Sequence, residues 1–189
     1  MSDLMLDVDQ AGELKEAFRR GDWTKADVKR FSESDKDKMK RFRDVLLGRA
    51  VVSVIKHIID CDAEPFCPKG WKVEEHRKGG QLEWDHSKAM LHLSPNQMDG
   101  KYIEGNKLRK ELANMPVMNA NVLDWYLAHP ELIPDEWKGK VIFFWGTIYR
   151  LSDGLLYVRY LFWGDGEWFW SSDWLGFVWR GSNPAAVLA

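Results

Sequence analysis

The spacing of apolar and polar positions changes character twice along this chain. Over the first fifty residues, apolar side chains recur at helical intervals. Leu14, Ala17 and Phe18 line one face of a helix predicted to run from Asp9, as its cap, through Arg20. Gly21-Asp-Trp interrupts that pattern. Thr24 then opens a second helix, with Asp27 standing where a capping box usually has Glu, and Val28 and Phe31 supply its apolar face. A third helix is predicted from Ser34, with Met39, Phe42, Val45 and Leu46 in line, until Gly48 closes it.

From Val51 the period shortens. Val51–Asp60 is rich in β-branched residues and reads as a buried strand. Pro65, Pro68 and Gly70 mark a loop before a strand over 71–76, and Gly79-Gly80 punctuates the next connection. Ala89-Met-Leu-His-Leu is a further short strand ending at the turn Ser94-Pro-Asn. A helix pair follows. Asn106–Ala113 carries Leu108 and Leu112 four residues apart, and Asn119 caps a second helix that stops before His129-Pro130. Pro134-Asp-Glu-Trp reads as a single helical turn.

The last segment returns to a strand period. Val141–Arg150, Leu155–Trp163 and Glu167–Ser171 alternate across the turns Ser152-Asp-Gly and Gly164-Asp-Gly, which predicts an antiparallel meander. The fold class is therefore α+β: N-terminal helices, a mostly antiparallel sheet with an inserted helix pair, and a C-terminal aromatic-rich β-meander. At 189 residues the chain suits one domain, or a core domain with a small helical appendage. The boundaries fall at 1–50 for the helical region and 51–189 for the α+β domain.

Aromatic content sharpens this picture. Fourteen aromatic residues fall between Val141 and Arg180, including six of the eleven tryptophans. Successive strand residues point to opposite faces, and here both faces are aromatic. Either something covers the second face or the aromatics form a recognition surface. Leu155, Tyr157, Arg159, Leu161 and Trp163 share one face, where the guanidinium would stack on rings or meet an anionic ligand. Leu156, Val158, Tyr160 and Phe162 make a plain core face. Gly, Ser and Asp interspersed among Trp168, Trp170, Trp174 and Trp179 favour ligand display there, to a protein or a glycan.

Charge narrows the alternatives. A net charge of −2 gives no global basic field of the kind that announces nucleic acid. Residues 11 to 49 hold twelve Lys/Arg against eight Asp/Glu, so a nucleic-acid face built from Lys25, Lys29, Arg30 and Arg41 is the alternative reading. The start of the chain lacks a basic segment followed by an apolar run, and no stretch approaches the length of a membrane span. A cytoplasmic protein without membrane association is expected. Cys61 and Cys67 are then expected as free thiols.

Catalytic and metal chemistry find little purchase. Cys61, Cys67, His76, His86 and His92 match no zinc spacing, since five residues separate the cysteines. A small enzyme would need a nucleophile, a base and an orienting acid, for which His57 with Asp60 and Cys61, or Asp85 with His86, supply the atoms. Glycine patterns for nucleotide binding are missing, and no cofactor or metal is expected.

Several phrases carry a resemblance: Gly70-Trp-Lys-Val-Glu-Glu-His-Arg-Lys-Gly-Gly, Glu104-Gly-Asn-Lys-Leu-Arg-Lys-Glu-Leu, Asn119-Ala-Asn-Val-Leu-Asp, Ile133-Pro-Asp-Glu-Trp-Lys-Gly, Phe143-Phe-Trp-Gly-Thr-Ile-Tyr-Arg and Asn183-Pro-Ala-Ala-Val-Leu-Ala. Together they resemble a family of uncharacterised bacterial proteins common in small-genome candidate-phylum bacteria. That likeness implies no activity and no functional residue. Trp168-Phe-Trp170-Ser-Ser-Asp with Gly181-Ser-Asn-Pro is also loosely similar to the end of C-type-lectin-like domains, without the disulfides usual in secreted lectins. The reading that emerges is a non-enzymatic binding module, with Arg159, Trp163, Trp168, Trp170, Trp174 and Trp179 as its ligand-facing residues.

Overall fold

Helix starts in the N-terminal region are set by side chains that bond their own backbone, as the computed structural model describes for residues 7–53 and 56–189. The chain divides into two compact units, Met1–Ile55 and Lys56–Ala189. In the first, α1 (Val8–Arg20) is capped by Asp7 and not by Asp9. The earlier cap wins because Gln10 answers it: Asp7 accepts from the Gln10 N–H at 2.7 Å while the Gln10 side chain accepts from the Asp7 N–H at 3.2 Å. α2 (Lys25–Ser32) carries the expected Thr24–Asp27 box. α3 (Lys36–Leu46) is capped by Asp35. Ser34, expected in that role, instead donates its hydroxyl to the Arg30 carbonyl and helps to close α2. Phe18, Trp23, Phe31 and Phe42 make a chain of ring contacts 4.8–5.8 Å apart. No residue of these three helices is fully buried.

The second unit begins with a correction. Among the described residues of the strand expected over Val51–Asp60, only β1 (Ile58–Asp60) forms. Val51 and Val52 are exposed, and Val54 and Ile55 lie outside the described residues, as do Met1–Leu6. β-propensity expresses packing more than backbone preference. Among the described residues of this segment, pairing exists only where β3 (Gln81–Glu83) runs antiparallel to β1. β2 (Lys72–His76) and β4 (Ala89–His92) lie where the pattern placed them.

The main sheet is built on β6 (Val141–Arg150), β7 (Leu156–Gly164) and β8 (Glu167–Trp174), the expected antiparallel meander, with β8 three residues longer than read. The other edge of β6 is shared. β10 (Ala185–Leu188) meets it in parallel at Phe143, and β2 pairs antiparallel with Thr147–Arg150. β4 lies antiparallel outside β10. The architecture is α+β.

Both faces of this sheet are covered, by different halves of the inserted helix pair. α5 (Ala120–Ala128) places Val122, Leu123 and Tyr126, with Ile133 and Trp137 after it, against Ile142, Phe144, Leu161, Trp168 and Ala186. α4 (Gly105–Glu111) contributes Leu108 to the opposite core, where Leu112, Leu175 and Trp179 meet Phe143, Trp145, Ile148 and Val158. Trp145 and Ile148 belong to the same core although their numbers differ in parity. The register of β6 against β7 shifts between Phe143 and Ile148, and that irregularity returns Ile148 to the side of Trp145.

Candidate functional site

The six residues expected to face a ligand separate into three environments. Arg159, Trp168 and Trp179 are core, at 1%, 9% and 1% exposure, which corrects their reading as surface anchors. For Arg159 the reason is an internal partner. Its guanidinium forks onto the Asp124 carboxylate of α5, with Nη2 at 2.6 Å and Nη1 at 3.1 Å. It also stacks on the Trp170 ring, Cζ lying 4.1 Å from the ring centroid, with Phe66 at 5.3 Å. The anion that the sequence suggested as a ligand is supplied by the protein itself.

Trp163 and Trp170 are half-buried beside cations. Lys138 Nζ lies 4.3 Å from the Trp163 ring, and Trp170 carries Arg159. Trp179 is held between Phe143 and Trp145 at 5.4 and 5.3 Å, and its ring covers Gly105 so closely that a Cβ there would lie 2.2 Å away. Only Trp174 of the six is exposed.

Trp174, one of the expected residues, belongs to a surface whose other members the sequence did not single out. Tyr102, Trp174, Phe177 and Val178 are 64%, 38%, 57% and 43% exposed. The segment carrying Trp174, Phe177 and Val178 is anchored by the core residues Leu175 and Trp179. Short β9 (Val178–Trp179) pairs antiparallel with β5 (Ile103–Glu104), which brings Tyr102 alongside. The Phe177 carbonyl accepts from the Gly105 N–H at 3.0 Å, and the Leu175 carbonyl accepts from the Asn106 N–H at 3.0 Å. The Trp174 and Phe177 rings meet edge to face at 6.0 Å. Trp174 also packs over Gly176, where a Cβ would come within 2.3 Å of the indole. The loop is thus fixed by its own backbone and rings.

Beside these aromatics runs a polar groove of about 370 Å³ lined by Asn96, Tyr102, Glu104, Lys107, Glu111 and Val178, with Ile103 among them. Its carboxylates have internal partners. Glu111 accepts from the Ser94 hydroxyl at 2.5 Å and from Asn96 at 2.9 Å, and Glu104 accepts from Asn106 at 2.7 Å. The missed signal was Leu175-Gly-Phe-Val-Trp, where a short apolar run with a glycine leaves no room for every side chain to turn inward.

The thiol and imidazole candidates are dispersed. Cys61 is buried and Cys67 exposed, both as free thiols. Burial first, then the neighbouring Asp62 and Asp60, push the Cys61 thiol up, away from thiolate character. His57 packs its ring on Trp125 and His129 at 5.4 and 5.2 Å. His92 lies on β4, and the side chain of His86 lies outside the described residues. His76 is structural: Nε2 donates to the Cys61 carbonyl at 3.0 Å, and Nδ1 accepts from the Thr147 hydroxyl at 2.8 Å. That hydroxyl in turn accepts from the Ala120 N–H at 3.0 Å. No group of three metal-ligating side chains occurs among the described residues.

Lys25, Lys29, Arg30 and Arg41 are exposed on α2 and α3. Lys29 pairs with Glu33, and Arg30 lines a cleft of about 700 Å³ shared with Asp22, Asp27 and Glu33, so the local field is mixed in sign. Among the described residues no helix is long and apolar enough to cross a membrane. No family model, curated protein or solved structure matches the chain.

Proposed function

We propose that the 56–189 unit is a non-enzymatic binding module that recognises a protein partner through Tyr102, Trp174, Phe177 and Val178. The observation that carries this reading is four large apolar side chains, all exposed, on two hydrogen-bonded segments whose neighbouring residues are core. Aromatic anchors surrounded by polar groups have the composition of interface centres. Phe177 and Val178 favour a protein over a glycan, because neither offers the polar edge that sugar hydroxyls require. A preformed loop also loses little side-chain freedom on binding.

A photo-reactive phenylalanine analogue at position 177 tests the proposal. Crosslinking should yield a defined protein adduct that position 167, at the opposite end of β8, does not. The purified adduct partner should bind the intact chain and lose at least about thirtyfold in affinity to Phe177→Ser, the size of a hot-spot truncation. Equal adducts from both positions, undiminished binding by the variant, or saturable glycan retention dependent on Phe177 would each overturn it.

A further inference from the structure

A second site lies away from the aromatic surface and does not depend on it. A cleft of about 260 Å³ opens between the β2–β3 connection and the segment leading into α5. Its walls are apolar, with Leu82, Met118, Val122 and Leu188 among them, and Cys61 also lines it. The only charged side chains lining it are Arg77 and Lys78. No carboxylate lies within ion-pair distance of either cation among the described residues, whereas Arg109, Arg150 and Arg159 all have one.

Arg77 is held in place rather than left to wander. Its N–H donates to the Gly146 carbonyl at 2.7 Å, and its own carbonyl accepts from Asn119 at 3.0 Å. At the far end Nη1 reaches the carbonyls of Leu112 and Met115, at 3.1 and 3.3 Å. Nε and Nη2 donate to no acceptor among the described residues. A half-buried guanidinium fixed on the backbone through Nη1, on a residue whose own main chain is pinned, with Nε and Nη2 unspent, is a preorganised anion receptor. Asp60 and Asp62 flank Cys61 but are engaged elsewhere: Asp62 accepts from the Gly79 and Gly80 N–H groups at 3.0 and 2.9 Å, and Asp60 from the Asp62 and Ala63 N–H groups at 3.0 and 3.2 Å.

We propose that this cleft binds a small amphipathic anion: a carboxylate on a short aliphatic chain, its head on Arg77 and Lys78 and its tail against Met118, Val122 and Leu188. The size follows from the volume. At roughly 30 Å³ for each water-sized group, the cleft takes about eight non-hydrogen atoms, the size of hexanoate. Specificity follows from the lining. A neutral alcohol of the same length forfeits the guanidinium, and acetate forfeits the wall.

Calorimetric titration of the full chain with acetate, butanoate, hexanoate, hexanol and inorganic phosphate tests both halves. Hexanoate should bind saturably, and affinity should rise about fourfold for each methylene from acetate onward. Hexanol and phosphate should bind at least about tenfold more weakly than hexanoate. Arg77→Gln should lose about tenfold or more for hexanoate with no change for hexanol. Lys78→Gln, at an exposed position, should lose a smaller factor and keep the fold even if the Arg77 variant does not. Affinity that is flat with chain length, equal for hexanoate and hexanol, unaffected in both folded variants, or immeasurable for hexanoate overturns the proposal.

Discussion

Asn119 occupies the space that a side chain at position 146 would need: a Cβ on Gly146 would lie 2.8 Å from the Asn119 N, Cα and Cβ. Around this contact, the Gly146 N–H donates to the Met118 carbonyl at 2.9 Å, and Asn119 caps α5 through Asn121. At Gly146 the entry of α5 therefore rests directly on the strand backbone. Gly146→Ala should destabilise the unit by about 2–3 kcal/mol through overpacking against main chain that cannot turn aside. Urea unfolding reads this directly, and an unchanged midpoint would mean that α5 shifts without cost.

The Arg159–Asp124 pair predicts an asymmetry. Asp124→Ala leaves a cation in the core with rings and the Tyr149 hydroxyl around it but no acid, and should cost about 3–5 kcal/mol. Removing the charge as well, in Arg159→Met with Asp124→Ala, should cost less than Asp124→Ala alone. A double variant weaker than the single one would show that the guanidinium packs favourably even without its acid.

The distinction between what local pattern revealed and what it hid follows from these two contacts. Strand alternation in the meander was legible because its period is a property of neighbouring residues. Turn residues fixed the hairpins for the same reason, and Asp165 and Gly166 both take positive φ in the second turn. The covering of both sheet faces was not legible. It depends on α4 and α5 dividing between two sides, and on the register shift near Gly146 that changes which residues point where. Arg159 looked available because its acid stands 35 residues earlier on another element. Trp179 looked loop-like because the groove that receives it is made by Gly105, far away in sequence.

Asp173 provides a pH test. Burial raises its carboxyl above the usual range, so the folded protein holds that proton more tightly than the unfolded chain does. Stability is then unaffected by this group below the ordinary carboxylate pKa. It falls as pH rises from there through the raised value. Asp173→Asn should unfold at higher urea than the parent at pH 7 and match it near pH 3. A gain that is equal at both pH values would assign the effect to shape rather than ionisation.

The two thiols should differ in reactivity. Cys67 is exposed, whereas the Cys61 thiol is buried and pushed up in pKa. Maleimide labelling at neutral pH, followed by peptide mass, should find Cys67 modified on the order of tenfold or more faster. In denaturant the two rates should converge. Equal rates in the folded protein would place Cys61 in an open conformation that the structure does not contain.

Trp174 and Trp179 are separated by one short loop and should respond oppositely to truncation. Trp179 fills the core beside Phe143 and Trp145 and seals the backbone of Gly105, so Trp179→Ala should cost about 3–5 kcal/mol and disturb the β5–β9 pairing. Trp174 touches Phe177 and Gly176 but leaves much of its ring in solvent. Trp174→Ala should cost no more than about 1 kcal/mol. The same argument holds for Phe177→Ser, whose ring is more exposed still. Thermal unfolding of the three variants separates the outcomes, and tryptophan quenching by acrylamide supplies a second reading. Quenching should fall when Trp174 is removed, because the parent loses its most exposed C-terminal indole. If Trp174→Ala unfolds the unit as Trp179→Ala does, the exposed ring is a structural strut, and a recognition role for the loop loses its footing.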